Sequence, residues 1–300
     1  MISYAQNLED VVLNRIFKNK PAGFYIDVGA HDPTELSVTK HFYDLGWSGI
    51  NIEPISTSYR KFRHQRPRDI NLNCAAGANH GTLTIHEVEG YPALSSFNHD
   101  AAVAGGKIAD SSVKDFTVEI QTLAEICGRH CDGMIDFIKI DVEGYEKEVI
   151  LGADWKKFRP VMLVAEACKP LEPLIPTWQE WEPLVLGADY ILVYYDGLNR
   201  YYLRREDEHL KKEFDMPMTP ALDNFSLYSD VRKAREAENR ADISDSENSV
   251  LHHEKEESNR KIQQLENEIS DYEEQVFELT DEISGLYGQI NELNAGKKQS

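Results

Sequence analysis

Four carboxylates in this 300-residue sequence fall inside or just after short apolar runs. Asp27 lies in Phe24–Val28, Glu53 follows Gly49–Ile52, Asp141 follows Ile135–Ile140 and Glu166 follows Val161–Ala165. Glu143 stands two residues beyond Asp141. If the runs are neighbouring strands, Asp141, Glu143 and Glu166 converge at one mouth of a sheet. There they can orient a hydroxyl, take its proton, or hold a divalent cation that does so. A salt bridge to Lys139 or to an arginine is the alternative for each of them.

The stretch after Asp27 is the most informative. A buried run ends in Asp27-Val28-Gly29-Ala30-His31, and Asp32-Pro33-Thr34-Glu35 predicts a helix start. Asp32 would be its N-cap, Pro33 its first residue and Glu35 the partner in a capping box. Such a turn brings backbone N–H groups and a helix N-terminus to a ligand. It holds one glycine, unlike the Gly-x-Gly-x-x-Gly turn that admits a pyrophosphate. Glu53, 24 residues after Gly29, can bridge two ribose hydroxyls. NAD sites share that acid, but the single-glycine turn points to S-adenosylmethionine, whose zwitterionic end Asp27 can orient directly or through water. The expected donor set is Asp27, Gly29, Ala30, His31, Glu53, Pro54, Ala75 and Asp141.

These side chains need a scaffold. Continuous apolar runs at 24–28, 49–53, 70–74, 135–140, 161–165 and 190–194 alternate with helical stretches. That pattern predicts an α/β fold with a doubly wound, mostly parallel sheet covered on both faces. Thr82–Glu87 alternates like a half-exposed strand, and Tyr91–Ser112 reads as a loop covering the site.

Near Asp230 the composition changes. From Val231 to Ser300 there is one Phe, no Trp and no Pro. We divide the chain into a domain over 1–230, a polar linker, helical in part, over 231–258, and a coiled coil over 259–295. Apolar residues at Ile262, Leu265, Ile269, Tyr272, Val276, Leu279, Ile283, Leu286, Ile290 and Leu293 keep a strict 3, 4 spacing. β-branched residues at every a position and mostly Leu at d favour a parallel homodimer, with a trimer as the alternative. Lys261 could pair with Glu266 of a partner, whereas Glu268 would face Glu273. A helix of another protein is the competing partner.

The net charge of −20 argues against nucleic acid. No apolar run reaches the length of a membrane span, and Asn7, Glu9 and Asp10 interrupt any signal-peptide pattern. The four cysteines show no paired framework. Cys127-Gly-Arg-His130-Cys131 lacks the second ligand pair of a zinc clip. These features fit a cytoplasmic protein.

Ser3–Asp10, Phe24–Ala30, Gly46–Pro54, Ile138–Gly144 and Asp196–Tyr202, in that order, resemble the FkbM-type methyltransferases. The resemblance covers roughly residues 1–205. It implies a class I, Rossmann-like methyltransferase fold and O-methylation of sugar or natural-product hydroxyls. Many relatives belong to bacterial surface-polysaccharide pathways, which would place the chain in O-antigen-like biosynthesis or termination. That setting adds assembly partners and a location peripheral to the inner membrane through them. His31 stands where relatives often have Asn. A sugar hydroxyl has a high pKa, so a base or a metal is needed. Asp141 or Glu143 is the expected base, with Glu166, His31 and His99 behind them. His99, Asp196, Asn199 and Arg200 are candidate acceptor contacts, and Tyr194, Tyr195, Tyr201 and Tyr202 could stack on a sugar or pack in the core. Two other readings compete. One is an assembly protein whose coiled coil is the working part. The other is an O-methyltransferase of a lipid or small natural product.

Overall fold

The structure is a computed structural model that describes the backbone of residues 1–296, with side chains outside 244–247, 286–287 and 289–296. The chain divides into two compact units, Met1–Val231 and the remainder from Arg232.

The first unit is α/β. The strands of its two larger sheets are β1 (Phe24–Val28), β2 (Ser48–Ile52), β3 (Ile70–Leu72), β4 (Ala75–Ala76), β5 (Gly81–Val88), β6 (Val113–Gln121), β7 (Phe137–Ile140), β8 (Met162–Glu166), β9 (Tyr190–Tyr195) and β10 (Asn199–Arg204). Seven form one sheet in the order β9-β10-β8-β7-β1-β2-β3. The pairs β8/β7, β7/β1, β1/β2 and β2/β3 are parallel. Only β10 runs against its neighbours, β8 and β9. From β1 the chain winds out through β2 to β3, then returns to β7 on the other side of β1. The strand order therefore reverses between β1 and β7, and at such a point the carboxyl ends of the strands open a crevice. β4, β6 and β5 make a separate three-stranded sheet.

Period-two alternation explains the two cores. Ile26 and Val28 of β1, Ile138 and Ile140 of β7, and Leu163 and Ala165 of β8 pack on one face with Leu123, Ile126, Val149 and Ile150. Tyr25, Phe137, Met162 and Val164 face the other way, against Val12, Leu13 and Phe17 of α1 (Glu9–Phe17) and against Phe42 and Trp47. Each such side chain contributes roughly 1.5–3 kcal/mol on full burial. Asp27, Asn51 and Lys139 share the second face by the same alternation, so polar groups enter the interior at the carboxyl end of the sheet.

Two local expectations are corrected. Asp32 Oδ1 does accept the N–H groups of Thr34 (2.9 Å) and Glu35 (3.0 Å), as a cap would. No helix follows, because Leu36 adopts φ +56° and bridges to Ala5. The next helix, α2, begins only at Lys40 and ends at Asp44. Tyr91–Ser112 is not an irregular loop either. It holds a short turn at Pro92–Leu94 and the helix His99–Ala109, capped by Asn98, whose side chain accepts from the Ala101 N–H at 3.1 Å.

The second unit is helical. One α-helix runs from Tyr228 to Gly296, so the stretch 231–258 is helical throughout rather than in part. No Gly or Pro stands between Val231 and Gly285 to stop it. The heptad residues from Ile262 to Ile283 are all largely exposed, from 49% at Leu265 to 66% at Tyr272. Leu286, Ile290 and Leu293 lie outside the described side chains. Among the described residues no helix is long and apolar enough to cross a membrane.

Candidate active site

A cleft of about 930 Å³, open solvent at its mouth included, lies at the carboxyl ends of β1, β2 and β7. All eight expected donor residues line it, and so does Glu143. Gly29, at φ +76°, makes the closest approach. A Cβ there would stand 1.9 Å from the Asp141 carbonyl oxygen. Only glycine lets the turn after β1 pack flat against the turn after β7.

Glu53 is 5% exposed, and both its oxygens accept backbone hydrogen bonds at 2.8 Å, one from His31 and one from Ile55. Burial pushes its pKa up to about 7 against the pull of those N–H groups. The carboxylate thereby ties the loop after β1 to the loop after β2. The expected cradle of free N–H groups is not there. The Gly29 and Ala30 N–H groups both donate to the Ile52 carbonyl, and the next helix after this turn begins only at Lys40. The turn offers shape, with recognition left to side chains.

Lys139 is the cation of the site. Its ammonium donates to the Gly29 carbonyl at 2.9 Å and lies 3.4 Å from Asp27 and 3.3 Å from Asp141. Burial acts to lower its pKa, but the Asp141 and Asp27 carboxylates outweigh burial and hold it above the ordinary lysine range. Asp27 is 1% exposed. One of its oxygens accepts from the Thr39 hydroxyl at 2.9 Å, and the other faces Lys139. It forms the floor of the cleft.

Beyond Asp141 the acids crowd together. Glu143, in a left-handed backbone conformation at φ +55°, lines the cleft with a pKa raised to about 8, first by burial and then by Asp141 and Glu146. Strain of this kind gathers at functional sites. Glu146 sits below, its carboxylate accepting the N–H groups of Val142 (3.0 Å) and Gly144 (3.1 Å). Glu166 does not line the cleft. Burial and then the neighbouring acids Asp141, Glu143 and Glu146 raise its pKa well above the ordinary carboxylate range. His31 lines the cleft, with a pKa lowered chiefly by burial. Among the described residues no group of three His, Cys, Asp or Glu side chains is arranged to hold a metal ion.

The candidate acceptor contacts stand elsewhere. His99 opens the helix His99–Ala109, its ring edge-on to His86 at 4.9 Å, outside the cleft. Asp196 organises the β9–β10 turn. It accepts from the Leu198 and Asn199 N–H groups at 2.8 and 2.6 Å and from the Tyr201 hydroxyl at 2.6 Å. Asn199 donates to the buried Glu9 at 2.9 Å. Arg200 lies over Trp178 at 3.8 Å and pairs with Glu182 at 3.4 Å. Tyr201 and Tyr202 are fully buried, Tyr194 packs on Tyr201, and Tyr195 is half exposed. This polar block joins the end of the sheet to the N-terminal segment, where Asp10 accepts from the Ser3 hydroxyl and the Tyr4 N–H, each at 2.7 Å.

Several cleft residues were not singled out from the sequence: Gln6, Leu36, Ser37, Ser95, Ser96 and Phe97. Ser96 carries no local motif. Its hydroxyl donates to the Glu143 carbonyl at 2.9 Å, so the segment before the helix His99–Ala109 closes on the strained turn. Of the expected cover over 91–112, Pro92, Ala93, Ser95, Ser96 and Phe97 line the cleft, and the helix His99–Ala109 does not.

A family model described as the methyltransferase FkbM domain matches residues 27–192, more than half of the chain. No curated protein matches. The matched span includes Gly29, Glu53, Asp141 and Glu143. It ends before the Asp196–Tyr202 block and begins after Ser3–Asp10.

Proposed function

This chain belongs to the FkbM methyltransferase family, and on that premise we propose that it moves a methyl group from S-adenosylmethionine to the oxygen of a sugar hydroxyl. The observation that carries this reading is the Gly29–Glu53 pair at the switch point: a turn that only glycine lets pack on the Asp141 carbonyl, beside a buried carboxylate on the neighbouring loop. Glu53 would hold the ribose hydroxyls, and Pro54, Ala75 and Ala30 would flank the donor. Asp27 would act on its ammonium from the floor, directly or through water.

When bound, the donor supplies an electrophilic methyl carbon: the acceptor oxygen bonds to it as the carbon–sulfur bond breaks and a neutral thioether leaves. The protein's tasks are then alignment and removal of the hydroxyl proton. Glu143 is the base we favour. It lines the cleft, and its raised pKa matches a proton acceptor working near neutrality. Asp141 faces Lys139 and serves better as a fixed charge. Glu166 does not line the cleft.

A sugar acceptor and a role in bacterial surface-polysaccharide biosynthesis or termination rest on the family resemblance. The exposed seam from Ile262 to Ile283 supports pairing with a second copy as a parallel coiled coil.

Calorimetric titration with S-adenosylmethionine, with NAD as control, tests the donor. Micromolar binding of the first alone is expected, followed by methylation of a glycan acceptor. Absence of binding would overturn the reading.

A further inference from the structure

Arg66 is 1% exposed and does not line the cleft, yet all three guanidinium nitrogens reach one cleft-forming loop. Nε and Nη2 donate to the Pro33 carbonyl at 3.1 and 2.5 Å, and Nη2 also donates to the Ser37 hydroxyl at 2.9 Å. Nη1 donates to the Thr39 hydroxyl at 3.1 Å and to Tyr25 at 3.3 Å. Because Thr39 accepts from Arg66, its own proton is directed to Asp27 Oδ2, 2.9 Å away. Asp69, 3.8 Å from Arg66, balances the charge and is itself held by Tyr25, Gly49 and Asn51.

Arg66 also ends α3 (Ser56–Gln65), the helix that starts directly after the Glu53 loop. Two more bonds join this helix to the same loop, Lys61 to Asp32 at 2.8 Å and Thr34 to Gln65 at 3.3 Å. An apolar side chain could fill the space. Only a planar fork with five donors meets a carbonyl, two hydroxyls and a phenol at once.

We infer that Arg66 and Thr39 are positioning residues for the donor, fixing the Pro33–Thr39 wall and aiming the Asp27 carboxylate without touching the ligand. The inference rests on the donor reading above.

The test is S-adenosylmethionine calorimetry on the full chain, with unliganded thermal unfolding measured in parallel. Thr39→Val should weaken binding about tenfold or more, the effect of one charge-assisted hydrogen bond. Thr39→Ser, which keeps the hydroxyl, should restore it, and Arg66→Lys should behave like Thr39→Val. If Arg66→Lys does not fold, Ser37→Ala and Thr39→Val carry the test. Variants that unfold earlier but bind with the wild-type constant would overturn the inference. Wild-type protein that binds no S-adenosylmethionine would instead remove the donor reading, and the inference with it.

Discussion

Lys139 stands directly opposite Asp27 in the β1–β7 ladder, and its ammonium lies almost equally far from Asp27 and Asp141, at 3.4 and 3.3 Å. One cation thus holds two carboxylates and the Gly29 carbonyl at the mouth of the sheet. Lys139→Met would leave the buried Asp27, and the partly exposed Asp141 beside it, without a counter-charge. We expect a loss of about 3–5 kcal/mol in urea unfolding, together with loss of donor binding. Stability within the range of surface substitutions would contradict this role.

Gly29→Ala places a methyl group inside the contact distance of the Asp141 carbonyl, at a left-handed φ. The backbone strain alone is about 1–3 kcal/mol. Relief requires the two turns to part, so calorimetry should detect no S-adenosylmethionine binding even where the variant remains folded. An unchanged affinity would mean that this contact does not shape the donor site.

If Glu143 is the base, methyl transfer should increase as pH passes upward through about 8, the region where burial places its deprotonation. Glu143→Gln should lower the rate roughly 10²–10⁴-fold and abolish that rise. A profile with the same inflection in the variant would assign the proton acceptor to another group.

Stability should fall between mildly acidic and neutral pH. Glu9, Glu53 and Glu146 are each raised by burial from 4.5 to about 7. Between those values the folded chain binds more protons than the unfolded chain. Their contribution is complete below about pH 4.5 and is lost as pH rises through 7. Thermal unfolding at pH 5.5, 7 and 8 should show a declining Tm, by about 2–4 °C for each kcal/mol lost. A rising Tm over that range would refute the assignment.

The exposed heptad seam predicts self-association. Full-length protein should sediment as a dimer, and Ile269→Glu combined with Val276→Glu should convert it to monomer without lowering the Tm of the Met1–Val231 unit. A wild-type monomer at micromolar concentration would rule out pairing through this seam.

The site was legible where chemistry follows from local order along the chain. Asp27, Gly29, Glu53, Asp141 and Glu143 each end or follow an apolar run, and a parallel sheet brings the carboxyl ends of such runs together. Their meeting in one cleft is a consequence of topology that alternation of strands and helices already implies. Asp32 makes the hydrogen bonds of a helix cap, but they close a turn. What stops the helix is Leu36 pairing with Ala5, some thirty residues away. The polar block at Asp196–Arg200 resembles a sugar-binding loop in composition. Its side chains are taken instead by Glu9 and Glu182, partners that no local pattern indicates.

Arg66 shows the division most clearly. In sequence it is one of several basic residues at the end of a polar helix, alongside the exposed Arg60 and Arg63. Burial separates it from them, and burial is set by which elements pack above it. The sequence by itself determined the strand runs near 24–28, 49–53, 135–140, 161–165 and 190–194, their covered faces, the acids at their ends and the helical character of 259–295, because hydrophobic periodicity and glycine or proline placement act over a few residues. Tertiary structure alone decided which polar groups line the cleft and which meet each other. A buried hydrogen bond or ion pair joins groups brought together by the packing of the whole unit, and their separation along the chain carries no trace of it.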